Sequence, residues 1–362
     1  MAWQAPPSGN ATINVAAFNN LFVPPDTEIV TPNPQFAVDA DGSNHIIVYG
    51  RLFSGASFTM RVNAFDINFA TGNIVEIATS GRVQHGFSGS AIVMIGFGGE
   101  ISNAGSITSN NDGILLSYNF GTKSTKVINS GTINVEDEAV RSTGVNIVLT
   151  NSGTIKGDTV VSGGSGADSL SNSGTMTGDI SLWGGNDIYN GAAGRLSGQI
   201  SGGAGNDRLT GGGLGETFLG GADVDTLTGN GGADTLKGDA GNDTLNGGVG
   251  LDRLWGGANS DIFVFNVAVT AVNRDTIYDF NLGNDRLHLD NAVFTKIGAT
   301  GPLKAAAFKL STQVKDADDR IIYNKTTGAL LYDSDGSGAA APIHFATLQN
   351  KPVVTAADFT VI

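Results

Sequence analysis

The segment GNGGADTLKGDAGNDTLNGGVGLDRLW, residues 229–255, repeats a nine-residue pattern three times without a gap. Each copy begins with a glycine-rich turn, carries an aspartate at its sixth position and has a leucine at its eighth position. Glycine loses much backbone entropy when it is ordered, so this segment needs a strong opposing interaction to fold. A fixed internal period is typical of solenoid proteins, in which neighbouring coils stack on one another.

The pattern continues in both directions to give seven nonapeptides over residues 202–264. The acidic sixth positions are Asp207, Glu216, Asp225, Asp234, Asp243, Asp252 and Asp261, and the apolar eighth positions are Leu209, Phe218, Leu227, Leu236, Leu245, Leu254 and Phe263. One isolated copy, GGSGADSLS, lies at residues 163–171 and places Asp168 at its sixth position. We interpret each nonapeptide as half a coil, so that copies 18 residues apart lie directly above one another.

The glycines of each turn allow a backbone with positive φ, which aims carbonyl oxygens at one point. The candidate glycines are Gly203, Gly205, Gly221, Gly232, Gly241, Gly248 and Gly250. Carbonyls and carboxylates together form an all-oxygen cage, which suits Ca²⁺ better than zinc or copper. We therefore expect roughly five Ca²⁺ ions, one for each acidic pair 18 residues apart. The pairs are 207/225, 216/234, 225/243, 234/252 and 243/261.

The seven repeats in register resemble the RTX (repeats-in-toxin) family, whose nonapeptides form a calcium-binding parallel β-roll. The second copy departs from the pattern, because it has Glu216 for aspartate and Leu214 for a turn glycine. Asp223 replaces a turn glycine in the third copy. The shortened copy WGGNDIYN, residues 183–190, makes Asp187 a further candidate ligand.

A looser repeat lies upstream of the nonapeptides. NAGSI at residue 103, NSGTI at residues 129 and 151, and NSGTM at residue 172 each place an apolar residue two positions after a glycine. Short alternating segments between these motifs are typical of strands. Coils of about 20 residues would stack the apolar residues in one column and the asparagines in a ladder. This pattern predicts a β-helix.

The whole chain is therefore predicted to be all-β, a β-solenoid in which a right-handed β-helix is followed by an RTX parallel β-roll. We expect a strand-rich N-terminal cap at residues 1–75, β-helix coils at residues 76–201, the calcium roll at residues 202–264 and a closing and secretion region at residues 265–362. One short helix is expected in the last region, around GPLKAAAFKL.

The C-terminal region carries two further resemblances. RDTIYDFNLGNDRLHLD, residues 274–290, is similar to the segment that follows the repeats in serralysin-type proteins, where it closes the roll. AADFTVI, residues 356–362, resembles the uncleaved signal read by type I ABC transporters. The second resemblance implies secretion from a Gram-negative bacterium directly to the outside. The first residues lack the basic and apolar regions of a Sec-type signal peptide.

Composition is consistent with a cation partner. The chain has 34 acidic and 20 basic residues, a formal net charge of −14, and no cysteine. This balance argues against nucleic acid or an anionic membrane as a partner. No apolar run is long enough for a membrane span, and without cysteine a secreted chain must be stapled by something other than disulfides.

The sequence gives weaker support for an enzymatic function. There is no HExxH motif, so a zincin-type peptidase is excluded. The acidic cluster upstream of the roll, VEDEAV at residues 135–140, is interpreted as a solvated turn. The favoured function is a secreted, non-enzymatic calcium-binding protein with a surface, matrix or adhesive role. The alternative is a β-helical carbohydrate-active enzyme that carries an RTX module. An extracellular polysaccharide and self-association are the open alternatives for a further partner.

Overall fold

The computed structural model consists of two compact units, residues 1–200 and residues 201–362. Its description covers residues 2–4, 13–15, 20–25, 27–31, 38–41, 45–49, 51–54, 58–64, 73–86, 89–96, 98–117, 124–311 and 316–362. Apart from two single 3-10 turns, Ala305–Ala307 and Ala356–Asp358, its regular elements are strands. The prediction of an all-β solenoid is confirmed. The short helix expected around residues 301–310 is only the first of those turns.

The first unit is a β-helix with three stacks of parallel strands. The first stack contains Ala2–Gln4, Asn20–Val23, His45–Val48, Asn73–Ile77, Gly99–Asn103, Thr125–Asn129, Ile147–Asn151, Ser169–Asn172 and Ile188–Asn190. The second contains Glu28–Thr31, Arg51–Ser54, Arg82–His85, Ser106–Ser109, Thr132–Val135, the start of Thr154–Ser162, the start of Thr175–Ser181, and Arg195–Ser197. The third contains Ile13–Val15, Val38–Asp41, Phe58–Ala64, Ser90–Gly96, Asp112–Ser117, Glu138–Ser142 and the ends of those two long strands.

Strands before residue 75 belong to these same stacks. His45–Val48 pairs with Asn73–Ile77, and Arg51–Ser54 pairs with Arg82–His85, both in parallel. The described part of residues 1–75 therefore continues the coils and is not a different kind of layer. The remainder of that segment lies outside the described residues, and its role as a cap stays a prediction, as does the right-handed sense of the coil.

The NSGT motif places one apolar column and one polar column inside the β-helix. The apolar column is Val83, Ile107, Ile133, Ile155, Met176 and Leu196, in direct register and buried. The expected asparagine ladder is confirmed: Asn103 Nδ2 donates to Asn129 Oδ1 at 2.7 Å, Asn129 Nδ2 to Asn151 Oδ1 at 2.8 Å, and Asn151 Nδ2 to Asn172 Oδ1 at 2.8 Å. A Cβ on Gly153 would collide with the carbonyl oxygen of Gly131 in the neighbouring coil, which explains the glycine of the motif.

The second unit contains the nonapeptides and the region after them. One stack contains Arg208–Thr210, Thr226–Thr228, Thr244–Asn246, Ile262–Phe265, Arg286–Leu289 and Phe359–Val361, with Gly301–Pro302 antiparallel to the last strand. The other contains Thr217–Ala222, Thr235–Ala240, Arg253–Ala258, Asp275–Ile277 and Ile343–Leu348. Gln199–Ala204 contains the boundary between the units, and Gly231–Gly232 pairs with Val249–Gly250.

The register of the second unit confirms the half-coil interpretation. Two apolar columns are aligned at 18-residue intervals and are completely buried. The first contains Leu209, Leu227, Leu245 and Phe263, and the second contains Phe218, Leu236 and Leu254. After the repeats, Leu287 continues the first column and Ile277 the second. An antiparallel sheet of Ile321–Asn324, Ala329–Tyr332 and Ile343–Leu348 follows, and Phe308–Leu310 pairs with its first strand. Among the described residues, no helix is long and apolar enough to cross a membrane.

Candidate metal centres in the nonapeptide turns

Most nonapeptide turns use a left-handed backbone at the second position, the fourth position or both. Gly203, Gly221 and Gly248 have positive φ at the second position, and Gly205, Gly232 and Gly250 have it at the fourth. Where glycine is replaced at these positions, the left-handed substitutes are asparagine or aspartate: Asp223, Asn230, Asp239 and Asn259. Because Asn and Asp tolerate this conformation better than other side-chain-bearing residues, the turn keeps its geometry through these changes in sequence.

The expectation of positive φ was wrong for Gly241. It is absent from the left-handed residues, and in its nonapeptide Asp239 has φ of 71°. Gly241 is needed for a different reason, since a Cβ there would collide with the carbonyl oxygen of Asp223 one coil earlier. Close approach of two coils, and not a special dihedral angle, accounts for this glycine.

One oxygen of each carboxylate joins coils that are 18 residues apart. The backbone N–H of Asp207 donates to Asp225 Oδ1 at 2.8 Å, that of Asp225 to Asp243 Oδ1 at 2.8 Å and that of Asp243 to Asp261 Oδ1 at 2.9 Å. On the other edge, Glu216 donates to Asp234 Oδ1 at 2.7 Å and Asp234 to Asp252 Oδ1 at 2.8 Å. The predicted pairs are thus neighbours in two columns of buried side chains.

Both columns continue beyond the nonapeptides, which sequence reasoning missed. The N–H of Asp252 donates to Asp275 Oδ1 at 3.2 Å, and that of Asp261 donates to Asp285 Oδ1 at 3.0 Å. These steps are 23 and 24 residues instead of 18, so a search at a fixed period does not find them. The available signal was local: DTI at Asp275 and DRL at Asp285 repeat the spacing of acidic and apolar residues in the nonapeptide.

The isolated copy in the first unit has the same arrangement on a smaller scale. The N–H of Asp168 donates to Asp187 Oδ1 at 2.6 Å, and the N–H of Ile147 donates to Asp168 Oδ1 at 2.6 Å. Both aspartates are buried. The structure therefore pairs Asp168 with Asp187, and the equivalent place one coil earlier is occupied by the apolar Ile147.

The second carboxylate oxygen is the unusual feature of the turns. The Oδ2 atom is buried and has no hydrogen-bond partner in five aspartates: Asp225, Asp234, Asp243, Asp252 and Asp261. In each case a Cβ on the first glycine of the same nonapeptide would collide with that oxygen; these are Gly220, Gly229, Gly238, Gly247 and Gly256. A buried polar atom without a partner is costly, and more so when it is charged. Only glycine leaves space around this oxygen.

Burial strongly affects the acidity of these groups. It raises the pKa of Asp225 to about 8, those of Asp234 and Asp261 to about 7, and that of Asp243 to about 6. Neighbouring carboxylates raise the pKa values of Asp225, Asp234 and Asp261 further. The pKa of Asp275 is raised well above its usual value by burial and by the charge of Asp252. Each column therefore favours a bound proton or cation over free carboxylates.

The donor set fits a hard cation. Carboxylate and carbonyl oxygens are the ligands of Ca²⁺, whereas zinc and copper favour nitrogen or sulfur. Among the described residues, no three Asp, Glu, His or Cys side chains come together as a metal-sized group, so a cation held in these turns would need backbone carbonyls as further ligands. Glu216 differs from the aspartates because its Oε2 accepts a hydrogen bond from the N–H of Gly212 at 3.3 Å. That contact agrees with the irregular sequence of its nonapeptide.

Comparison with known proteins identifies the repeats. Residues 199–227, 211–245, 219–254 and 237–266 match four copies of the RTX calcium-binding nonapeptide repeat, so this segment belongs to the RTX calcium-binding repeat family. A search of curated proteins found no match. The chain is similar at 24% identity to the solution structure of the AlgE6R3 subunit from the Azotobacter vinelandii mannuronan C5-epimerase, over 41% of this chain and 78% of that chain, with a TM-score of 0.29.

A single isosteric substitution tests whether the second oxygen is a metal ligand. Asn in Asp243→Asn keeps an acceptor for the N–H of Asp225 but removes the charge and one carboxylate oxygen. We expect the calcium concentration at the folding midpoint to rise roughly tenfold, because affinity depends on the number of charged ligands. Circular dichroism during a calcium titration measures this midpoint.

The matched control is Asp223→Asn, which removes the same charge from an exposed position in a nearby turn. Asn tolerates the left-handed backbone there and still accepts the hydrogen bond from the N–H of Gly205, which is 3.2 Å long. Its midpoint should stay within about twofold of the parent, as expected for a surface charge. Equal midpoints for the two variants would contradict the ligand role of Asp243.

The raised pKa values predict an unusual pH dependence for the calcium-free roll. Its folded state binds protons more tightly than its unfolded state, in which the pKa of Asp is about 3.9. Stability from these groups is therefore fully present below about pH 4 and is lost as pH rises through the folded pKa values of about 6 to 8. Calcium-free protein should gain β structure between about pH 8 and pH 5, as measured by circular dichroism.

In the same pH range the affinity of the folded roll for calcium should fall. Protons compete with the cation for the carboxylates, so more calcium is needed to fill the sites of the folded roll as the solution becomes more acidic, as measured by isothermal titration calorimetry. Loss of β structure on acidifying the calcium-free protein from about pH 8 to pH 5 would show that these aspartates are not destabilising when ionised.

Proposed function

We propose that this chain is a secreted, non-enzymatic calcium-binding protein whose roll folds when Ca²⁺ binds outside the cell. The observation that carries the proposal is the buried, partnerless Oδ2 repeated at five aspartates of the RTX segment. The bound ions would supply the positive charge that the columns lack. Binding free energy would then be folding free energy, as in other small metal-dependent domains.

The proposed ligands are those expected from the nonapeptide pattern together with two new residues. On one edge, the column of proposed ligands would contain Asp207, Asp225, Asp243, Asp261 and Asp285. On the other edge, it would contain Glu216, Asp234, Asp252 and Asp275. With backbone carbonyls they would hold roughly five Ca²⁺ ions at affinities on the order of 10⁻⁴–10⁻³ M, as in extracellular calcium modules. Asp168 and Asp187 would form a separate site in the β-helix.

Such weak affinity suits a chain that crosses the cell envelope before it folds. At the low calcium concentration of a cytosol the ionised columns repel and the glycines oppose ordering. A chain without cysteine then has no disulfide to prevent it from threading a type I ABC transporter. Millimolar calcium outside shifts the equilibrium by mass action. The resemblance of residues 356–362 to a type I signal supports export from a Gram-negative bacterium.

A surface, matrix or adhesive role is proposed for the folded protein. Its support is the absence of a catalytic motif in the sequence, together with a repetitive solenoid that offers a long surface for binding. An enzymatic role as a polysaccharide lyase or epimerase would take several carboxylates converging on the β-helix. The pair Glu138–Arg141, with Nε and Oε2 3.2 Å apart, is a different arrangement, since the guanidinium neutralises the carboxylate.

Export tests the proposal in cells that contain a type I transporter. The parent chain should reach the medium, and a chain that lacks residues 356–362 should be retained. Because Phe359–Val361 is a strand paired with Leu287–Leu289, the control is calcium-induced refolding of the purified truncated chain. Retention together with normal refolding supports a signal in this segment. Equal amounts of both chains in the medium would contradict it.

A further inference from the structure

An open groove of about 510 Å³ runs across three coils of the β-helix. Its lining includes Glu138, Arg141, Ser162, Ser165 and Trp183. The volume lies within the range of about 300–1,000 Å³ that is typical of small-molecule sites. All lining residues belong to the first unit, and none belongs to the RTX segment. The groove is therefore separate from the aspartate columns of the roll, but it borders the two turns that carry Asp168 and Asp187.

Trp183 is unfavourable for folding in two respects. Its side chain is 65% exposed, and its backbone has a φ of 68°. Counted back from Asp187 as the sixth position of a nonapeptide, Trp183 is at the second position, where other copies have left-handed Gly203, Gly221 or Gly257. A bulky residue in this conformation is a genuine outlier, and such strain concentrates at binding sites. Fold stability alone would favour glycine here.

The polar part of the groove is electrically balanced. Arg141 Nε lies 3.2 Å from Glu138 Oε2, and Arg141 Nη1 lies 3.9 Å from Asp112 Oδ2. The guanidinium is thus already neutralised, and the chain as a whole has a net charge of −14. An anionic ligand gains little from such a surface. The ion pair, the serine hydroxyls and the glycine backbone instead offer hydrogen-bond donors and acceptors to an uncharged polar molecule.

A neutral sugar ring matches both parts of this surface. It has an apolar face that can stack on an exposed indole, and hydroxyls that can donate to a carboxylate and accept from a guanidinium. We propose that the groove beside Trp183 binds a neutral, hexose-containing oligosaccharide. Trp183 would stack against one ring, and Glu138 and Arg141 would hydrogen-bond with its hydroxyls. This inference does not depend on the proposed calcium-dependent folding of the roll.

The groove is suited to binding rather than cleavage. Hydrolysis of a glycosidic bond generally takes two carboxyl groups on either side of the bond. Among the residues that line the groove, Glu138 supplies the one carboxylate, and Arg141 is bonded to it. A binding role also agrees with the proposed surface or adhesive function.

The test uses the full chain in calcium and a panel of hexasaccharides. Neutral probes are the hexamers of glucose in α-1,4 and β-1,4 linkage and of mannose in β-1,4 linkage, and the anionic probe is the hexamer of galacturonate. Isothermal titration calorimetry should give saturable binding of at least one neutral probe. Trp183→Gly should weaken that binding at least about tenfold, as for an aromatic anchor, whereas Trp183→Phe should retain part of it.

Trp183→Gly also has a built-in control for folding. Glycine suits a φ of 68°, so the melting temperature of the variant should equal or exceed that of the parent. Ile188→Thr, at a residue that is 47% exposed and lies outside the groove lining, should bind like the parent. Binding of no neutral probe, equal binding by Trp183→Gly, or binding of the galacturonate probe alone would overturn the proposal.

Discussion

A buried carboxylate oxygen with no donor within reach is the constraint on which the second unit depends. Oδ2 of Asp243 is an example: Oδ1 is held by the N–H of Asp225, and Oδ2 is directed at Gly238. The first glycine leaves space for the oxygen, the left-handed positions shape the turn, and the 18-residue coil brings the next aspartate into line. Each part of the nonapeptide therefore helps to place the same buried oxygen, which requires a positively charged partner.

The two units satisfy a buried polar column in opposite ways. An asparagine amide has both a donor and an acceptor, so Asn129 can accept from Asn103 and donate to Asn151 within the protein. An ionised aspartate has only acceptors, so Asp225 and Asp243 can share a backbone N–H link but cannot satisfy each other. Within the asparagine ladder the amides satisfy one another except for Oδ1 of Asn103 at its end, whereas the aspartate column is complete only with protons or cations. Calcium dependence should accordingly be concentrated in the roll.

The parts of the structure that could be predicted from sequence are those with a strict period. The columns of Leu227 and Leu236, the pairing of acidic residues 18 apart and the asparagine ladder all follow from repeated spacing. Asp275 and Asp285 were missed because loops lengthen their coils, although the order of contacts is unchanged. Gly241 was assigned the wrong role because collision with Asp223 depends on how closely two coils approach, which a single turn sequence does not specify.

The groove beside Trp183 could also not be predicted from the sequence. Glu138 and Trp183 are distant in sequence, and only stacking of the coils brings them to one surface. The exposed indole has no periodic partner, so a search for repeats treats it as a defect of a shortened copy. Its left-handed backbone identifies it as a glycine position filled by tryptophan, and that identification requires coordinates.

Hydrogen exchange with and without calcium tests the central claim most directly. At neutral pH, amides of residues 202–264 should exchange slowly in calcium and nearly as fast as an unfolded chain after chelation. Amides of the asparagine-ladder strands, such as Thr125–Asn129 and Ile147–Asn151, should remain protected in both conditions. Slow exchange of residues 202–264 after chelation would mean that the buried aspartates need no cation, and would contradict the account.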